Sequence, residues 1–183
     1  EDGADVDALG DMADGAETSG PAPGHFELTP VDAWGRARGL GGPGSGDGDF
    51  HVPTGIALSK DESEVFVYDT GNDRIKVLSR DGTTLRVWPH RGAGCAQSGS
   101  ALGVLSNDSV VVVDSTAHEV VHYSRVGEQL ERWPIPAAGN FCAQQDHDHS
   151  LVVDSDDSTF VGEIKTGQIH HFNSAGDHVA SFG

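Results

Sequence analysis

The chain has 183 residues, 25 of them glycine, an aromatic share of 7% and a formal net charge of −18 with only three lysines. That length supports one domain with a real core, and so much glycine favours a turn-rich fold over a helical bundle. An acidic surface repels phosphate backbones, so nucleic acid is not an expected partner, and no apolar run nears the roughly 18 residues that a membrane span requires.

Residues 1–24, EDGADVDALGDMADGAETSGPAPG, are acidic and almost free of large apolar side chains. They offer too little burial to offset ordering entropy and read as a flexible leader. The chain opens on Glu1 rather than methionine, which fits a processed form or a piece of a longer protein. Residues 25–47 hold apolar positions for one strand ending near Trp34, then a glycine-rich connection, GRARGLGGPGSGD. From Phe50 onward the pattern is strand-like, with no sustained helical periodicity.

Residues 67–88, VYDTGNDRIKVLSRDGTTLRVW, align without gaps with 112–133, VVDSTAHEVVHYSRVGEQLERW, and with 161–182, VGEIKTGQIHHFNSAGDHVASF. Asp69, Asp114 and Glu163 coincide, 45 and 49 residues apart; so do Ile75, Val120 and Ile169, and Leu78, Tyr123 and Phe172. Gly82, Gly127 and Gly176 mark one shared turn, and Trp88, Trp133 and Phe182 close each copy. Extended backwards, each copy reads as strand, polar turn, strand, acidic corner, strand, glycine turn, strand. Four strands per period of about 45 residues predict an all-β chain of β-propeller blades. Three are expected, at 48–89, 94–135 and 139–183.

The first copy, DFHVPTGIAL…VFVYDTGNDRIKVLSRDGTTLRVW, resembles the NHL repeat through Pro53, Gly55, Ile56, Ala57, Asp69, Asn72, Arg74, Ile75, Asp81 and Gly82. In the later copies Glu119 and Gln168 replace Arg74, and the leading Pro-x-Gly is lost. The resemblance covers residues 48–183 and implies a propeller, a fold that NHL proteins usually build from six blades. Three blades leave open sheet edges, so an incomplete ring held by a protein partner or by self-association is expected. On this reading the chain is a non-catalytic NHL-type module for protein binding or assembly, without a cofactor; a structural subunit of a larger complex is an alternative.

Candidate binding residues are Thr54, Asp69, Asp114 and Glu163. Asp69 and Arg74 are placed to brace one corner through a charge-assisted hydrogen bond, whereas Asp114 and Glu163 stand at the same corner without an arginine. The run Asp146, His147, Asp148, His149 precedes the innermost strand of the third copy. In an extended segment His147 and His149 point the same way and, with Asp146, offer ligands to zinc, or to calcium through the carboxylate. That gives an enzymatic alternative. NFC at 140–142 and VGEIKTGQIHHF are more distantly similar to the propeller of peptidyl-hydroxyglycine amidating lyases, a resemblance that implies a metal-dependent lyase or hydrolase. Those lyases hold zinc with histidines after a leading proline, where Thr54 stands here. His170 and His171 are expected to serve packing or surface roles.

Cys95 and Cys142 show neither CxxC nor CxxCH spacing, which leaves zinc-ribbon, thioredoxin-like and c-haem sites unsupported. They fall at near-equivalent loop positions of adjacent copies, and both a disulfide and free thiols remain open. A disulfide would staple two blades in an oxidising compartment, and an extracytoplasmic location is expected.

Overall fold

The computed structural model describes residues 44–90, 101–136, 149–163 and 166–183, all within the unit Trp34–Gly183. The leader expected over 1–24, the strand near Trp34, Asp146, His147, Cys95 and Cys142 lie outside the described residues.

The strands follow the repeated apolar pattern. β1 (Pro53–Leu58), β2 (Glu64–Asp69), β3 (Arg74–Ser79) and β4 (Thr84–Pro89) form the first sheet. β5 (Leu102–Val104), β6 (Val110–Asp114), β7 (Glu119–Tyr123) and β8 (Gln129–Pro134) form the second. β9 (His149–Val153), β10 (Thr159–Glu163), β11 (Gln168–Phe172) and β12 (His178–Phe182) form the third. Each sheet is an antiparallel meander with its strands side by side in chain order, so the described residues are all-β and form three propeller-type blades.

Burial explains the composition of the second strands. β2 (EVFVYD) and β6 (VVVVD) are buried along their whole length. A strand covered on both faces needs apolar side chains at successive positions, and β-branched valine suits the pleat. One core joins Phe66, Tyr68, Ile75, Val77 and Trp88 of the first blade to Leu102, Val110, Val112, Val121 and Tyr123 of the second. A second core joins Val111, Val113, Val120 and Trp133 to Val161 and Phe172 of the third. The second blade therefore presents alternate residues to the first blade and to the third.

The hairpin between the last two strands is the same device three times. Gly82, Gly127 and Gly176 have φ of 83°, 88° and 82°. Their amides donate to Ser79, Ser124 and Asn173, and a register shift follows in each outer ladder. This is a type I turn closed by a left-handed residue and a bulge, a conformation that glycine adopts without steric cost. At the other end of the first blade, Arg74 Nη1 donates to the Ser45 carbonyl at 2.8 Å, and Lys76 Nζ donates to Asp47 and Asp49 carbonyls at 2.6 and 3.0 Å. Lys76 is buried, stacks over the Phe50 ring and has its pKa lowered by desolvation.

A candidate metal centre between the second and third blades

Two strand ends and one corner loop meet at the second junction. Glu163 closes β10 and pairs with His149, which opens β9, across the ladder. His118 comes from the β6–β7 corner of the neighbouring blade. Asp114 shapes that corner: its Oδ1 accepts the amides of Thr116 and Ala117 at 3.1 and 2.9 Å, and its carbonyl accepts the His118 amide at 2.8 Å. His118 has a left-handed φ of 62°, and its carbonyl receives the Ile135 amide at 2.9 Å. The loop thereby delivers the imidazole into the cleft.

One potential ligand atom from each of His118, His149 and Glu163 lies within 4.8 Å of the other two; His149 and Glu163 are buried, and the His118 side chain is 10% exposed. His118 Nε2 is 3.6 Å from Glu163 Oε1, and the two imidazole centroids are 6.0 Å apart. Glu163 Oε1 is buried without a hydrogen-bond partner among the described residues. Its other oxygen is held by Thr166 Oγ1, which donates at 2.8 Å, and lies 3.3 Å from His170 Nε2. His170 is wholly buried, with Nδ1 3.0 Å from Ser181 Oγ. Such outer partners fix a carboxylate in one rotamer and leave the opposite oxygen pointing into the cleft. Ser115 Oγ sits 3.1 Å from His149 Nδ1.

Desolvation lowers the pKa of His118 below the ordinary histidine value, with the Glu163 charge opposing the shift. A neutral imidazole is the form that ligates a metal. Two imidazoles and one carboxylate suit zinc or a similar first-row ion and leave coordination positions open.

The sequence expectations divide at this point. Glu163 and His149 come together, joined by His118, a residue that the repeat alignment alone does not single out. His149 belongs to the innermost strand itself rather than to the loop before it. His170, expected to have a packing or surface role, faces Glu163. Asp114 does have an arginine: Arg132 Nη1 of β8 is 3.4 Å from its Oδ2, so this carboxylate serves its own blade. Asp69 accepts Arg74 Nε at 2.7 Å, Asn72 Nδ2 at 2.8 Å and the His51 amide at 2.6 Å. Thr54 Oγ1 is hydrogen-bonded to Thr70 Oγ1, away from the cluster.

No protein-family model matches the chain. No curated protein matches it in sequence. Solved structures do match in fold. A catalytically inactive variant of virginiamycin B lyase from Staphylococcus aureus, solved with quinupristin, aligns at TM-score 0.54 and 15% identity over 71% of this chain and 40% of that one. A streptogramin B lyase gives 0.52 and 16% over 73% and 41%. Hydrazine synthase from Kuenenia stuttgartiensis gives 0.56 and 14% over 80% and 39%. The chain thus spans about two fifths of the length of these structures, and at such identities the likeness shows the fold alone.

Proposed function

We propose that the cleft between the second and third blades binds a divalent metal ion through His118, His149 and Glu163, and that the activity class is a metal-assisted lyase or hydrolase. The observation carrying this reading is the convergence of three buried ligand atoms within 4.8 Å. Three protein ligands with open positions are the arrangement of catalytic rather than structural zinc sites. When bound, the ion would supply a Lewis acid for a substrate oxygen or lower the pKa of a water. The chain's own residues do the positioning: Thr166 and His170 orient Glu163, Ser115 meets His149, and the Asp114 turn holds His118. That two of the similar solved structures are lyases supports the class without naming a substrate.

The test is a titration of the chelator-treated chain with zinc, manganese and calcium, followed by calorimetry. One zinc or manganese ion per chain is expected. His118→Ala, His149→Ala and Glu163→Gln should each weaken binding by about tenfold or more, with the sheet signal in circular dichroism retained. No saturable binding, or affinity unchanged in all three variants, would refute the site.

A second reading is protein binding or assembly through the end faces of the blade stack, with the NHL-type repeat as its basis. Exposed Ile56, Leu58, Val152, Ile169 and Phe182 favour it. Isolated exposed apolar residues are ordinary, but rows of them on blade faces call for cover.

A further inference from the structure

The two interior junctions are built alike but fastened differently. Both carry an apolar core, a closing tryptophan over a turn glycine, and a backbone amide of one blade bonded to an aspartate of the next. A Cβ added to Gly127 would lie 2.5 Å from Trp88, and one added to Gly176 would lie 2.1 Å from Trp133. The Lys60 amide meets Asp108 Oδ1 and the Ser106 amide meets Asp157 Oδ1, both at 2.7 Å. The buried polar contact beside the core is where they differ. At the first junction it is made within the protein: His90, following β4, places Nδ1 2.8 Å from Tyr123 Oη of the second blade. At the second junction Ile135 and Phe172 stand at those two positions, and both are apolar and buried. The Ile135 amide donates to the His118 carbonyl just as the His90 amide donates to that of Asp73. The polar contact moves to the strand ends, where His118 of the second blade meets His149 and Glu163 of the third. Glu163 Oε1 has no hydrogen-bond partner among the described residues, and His118 Nε2, 3.6 Å away, is beyond hydrogen-bond reach.

The third blade depends on its junction more than the other two depend on theirs. The second blade is covered on both faces. The first blade has its far face closed by its own chain: Phe50 packs on Val65, Val67 and Leu78, and Lys76 Nζ donates to the Asp47 and Asp49 carbonyls. On the far face of the third blade, Ile169 and Phe182 are 48% and 53% exposed, whereas their counterparts in the second blade, Val120 and Trp133, are 0% and 4% exposed. A blade held by one face opens at a lower free energy than neighbours held by two. The holding face of this one also carries the carboxylate oxygen of Glu163 without a bonded donor, and burying such an oxygen opposes docking.

We propose that docking of the third blade is under metal control. A divalent ion shared by His118 on one side and by His149 and Glu163 on the other fastens the blade, and withdrawing the ion releases it as a unit while the first two blades stay folded. The inference rests on the metal-site reading above and gives that site a regulatory role. The coupling is a linkage. Only the docked blade brings the three ligand atoms within 4.8 Å, so an ion that needs all three binds the docked form and draws the equilibrium toward it. Release uncovers Val111, Val113, Val120 and Trp133 on the second blade, an apolar face that is buried when the third blade is in place.

The experiment is hydrogen–deuterium exchange, read by mass spectrometry, on the 183-residue chain in chelator and in zinc. Free zinc is set about a hundredfold above the dissociation constant that calorimetry gives, where linkage slows exchange through undocking by up to about a hundredfold. Amides of β9–β12 should exchange at least about tenfold more slowly with zinc, and those of β1–β4 should change by less than about twofold. In His118→Ala and in Glu163→Gln the zinc-induced protection should vanish, with the sheet signal in circular dichroism retained. His118 lies in the second blade, so its effect on β9–β12 reports the contact across the junction rather than a change inside the third blade. If zinc binds with the expected ligand dependence but protection rises evenly in all three blades, or in none, the metal site stands and metal-controlled docking falls. Protection of the third blade that survives in His118→Ala places the fastening ion within one blade and overturns the proposal as well. If no zinc binds, the metal-site reading falls and takes this role with it.

Discussion

Trp133 of the second blade lies against Gly176 of the third so closely that a methyl group there would sit 2.1 Å from the indole Nε1. Gly176 also holds a φ of 82°, so two separate constraints fall on one residue. Gly176→Ala should destabilise the protein by about 2 kcal/mol or more, from left-handed strain plus displacement of the indole. At Gly48 an added Cβ would meet nothing within 4 Å, so Gly48→Ala should stay within about 0.5 kcal/mol of wild type. Thermal melting of both variants checks the contrast, and equal melting temperatures would show that the contact carries no energy.

Asp157 clamps the turn of the preceding blade with two hydrogen bonds, from the Ser106 amide at 2.7 Å and the Ser106 hydroxyl at 2.6 Å. Its φ of 62° is one that aspartate and asparagine tolerate better than alanine. Asp157→Ala should therefore cost about 1–3 kcal/mol, and Asp157→Asn clearly less, since the amide oxygen still accepts. Urea unfolding measures the order; the reverse ranking would mean that the clamp contributes nothing.

The blades were legible because each one states its pattern within some 45 residues. Apolar runs at β2 and β6, glycines at 82, 127 and 176 and closing aromatics at 88 and 133 recur at the same place in successive copies, so they show in the chain before any contact between blades is known. Glu163 and His149 were legible for the same reason, being paired across one hairpin. His118 was not, because it reaches the cluster from another blade, and an alignment of copies compares equivalent positions rather than neighbouring ones. A signal did exist. His118 aligns with Asp73, and both adopt a left-handed φ, 62° and 51°, at a corner where histidine is a costlier choice than aspartate or asparagine. The Asp114–Arg132 pair was hidden because the arginine comes from β8, two strands along the sheet from β6.

Zinc should also stabilise the fold if His118, His149 and Glu163 hold it. An ion that binds only the native state raises stability with its free concentration, by about 2.7 kcal/mol at a hundredfold excess over its dissociation constant. The melting temperature of wild type should rise with added zinc and fall back with chelator, and Glu163→Gln should abolish the rise. A rise that persists in Glu163→Gln would place the stabilising ion elsewhere.

His90 gives the protein a pH dependence at the first junction. It is buried between Tyr68 and Tyr123, with Nδ1 2.8 Å from Tyr123 Oη, and burial lowers its pKa from 6.5 to about 4. Between those two values the unfolded chain binds a proton that the folded chain refuses. Stability therefore falls as pH drops from 6.5 toward 4, is unaffected by this group above that window, and loses no more from it below. The whole span corresponds to about 3 kcal/mol, of which about 1 kcal/mol is lost by about pH 5.5. His118 and His122, also lowered by desolvation, act in the same direction. Replacing His90 with phenylalanine keeps a ring in place but deprives Tyr123 of its partner, at about 1–2 kcal/mol across all pH. Urea unfolding at pH near 7.5 and near 5.5 separates the two effects: His90→Phe should start less stable, yet lose about 1 kcal/mol less than wild type on acidification. An unchanged acid loss in the variant would show that His90 titrates in the folded protein as it does in the unfolded chain.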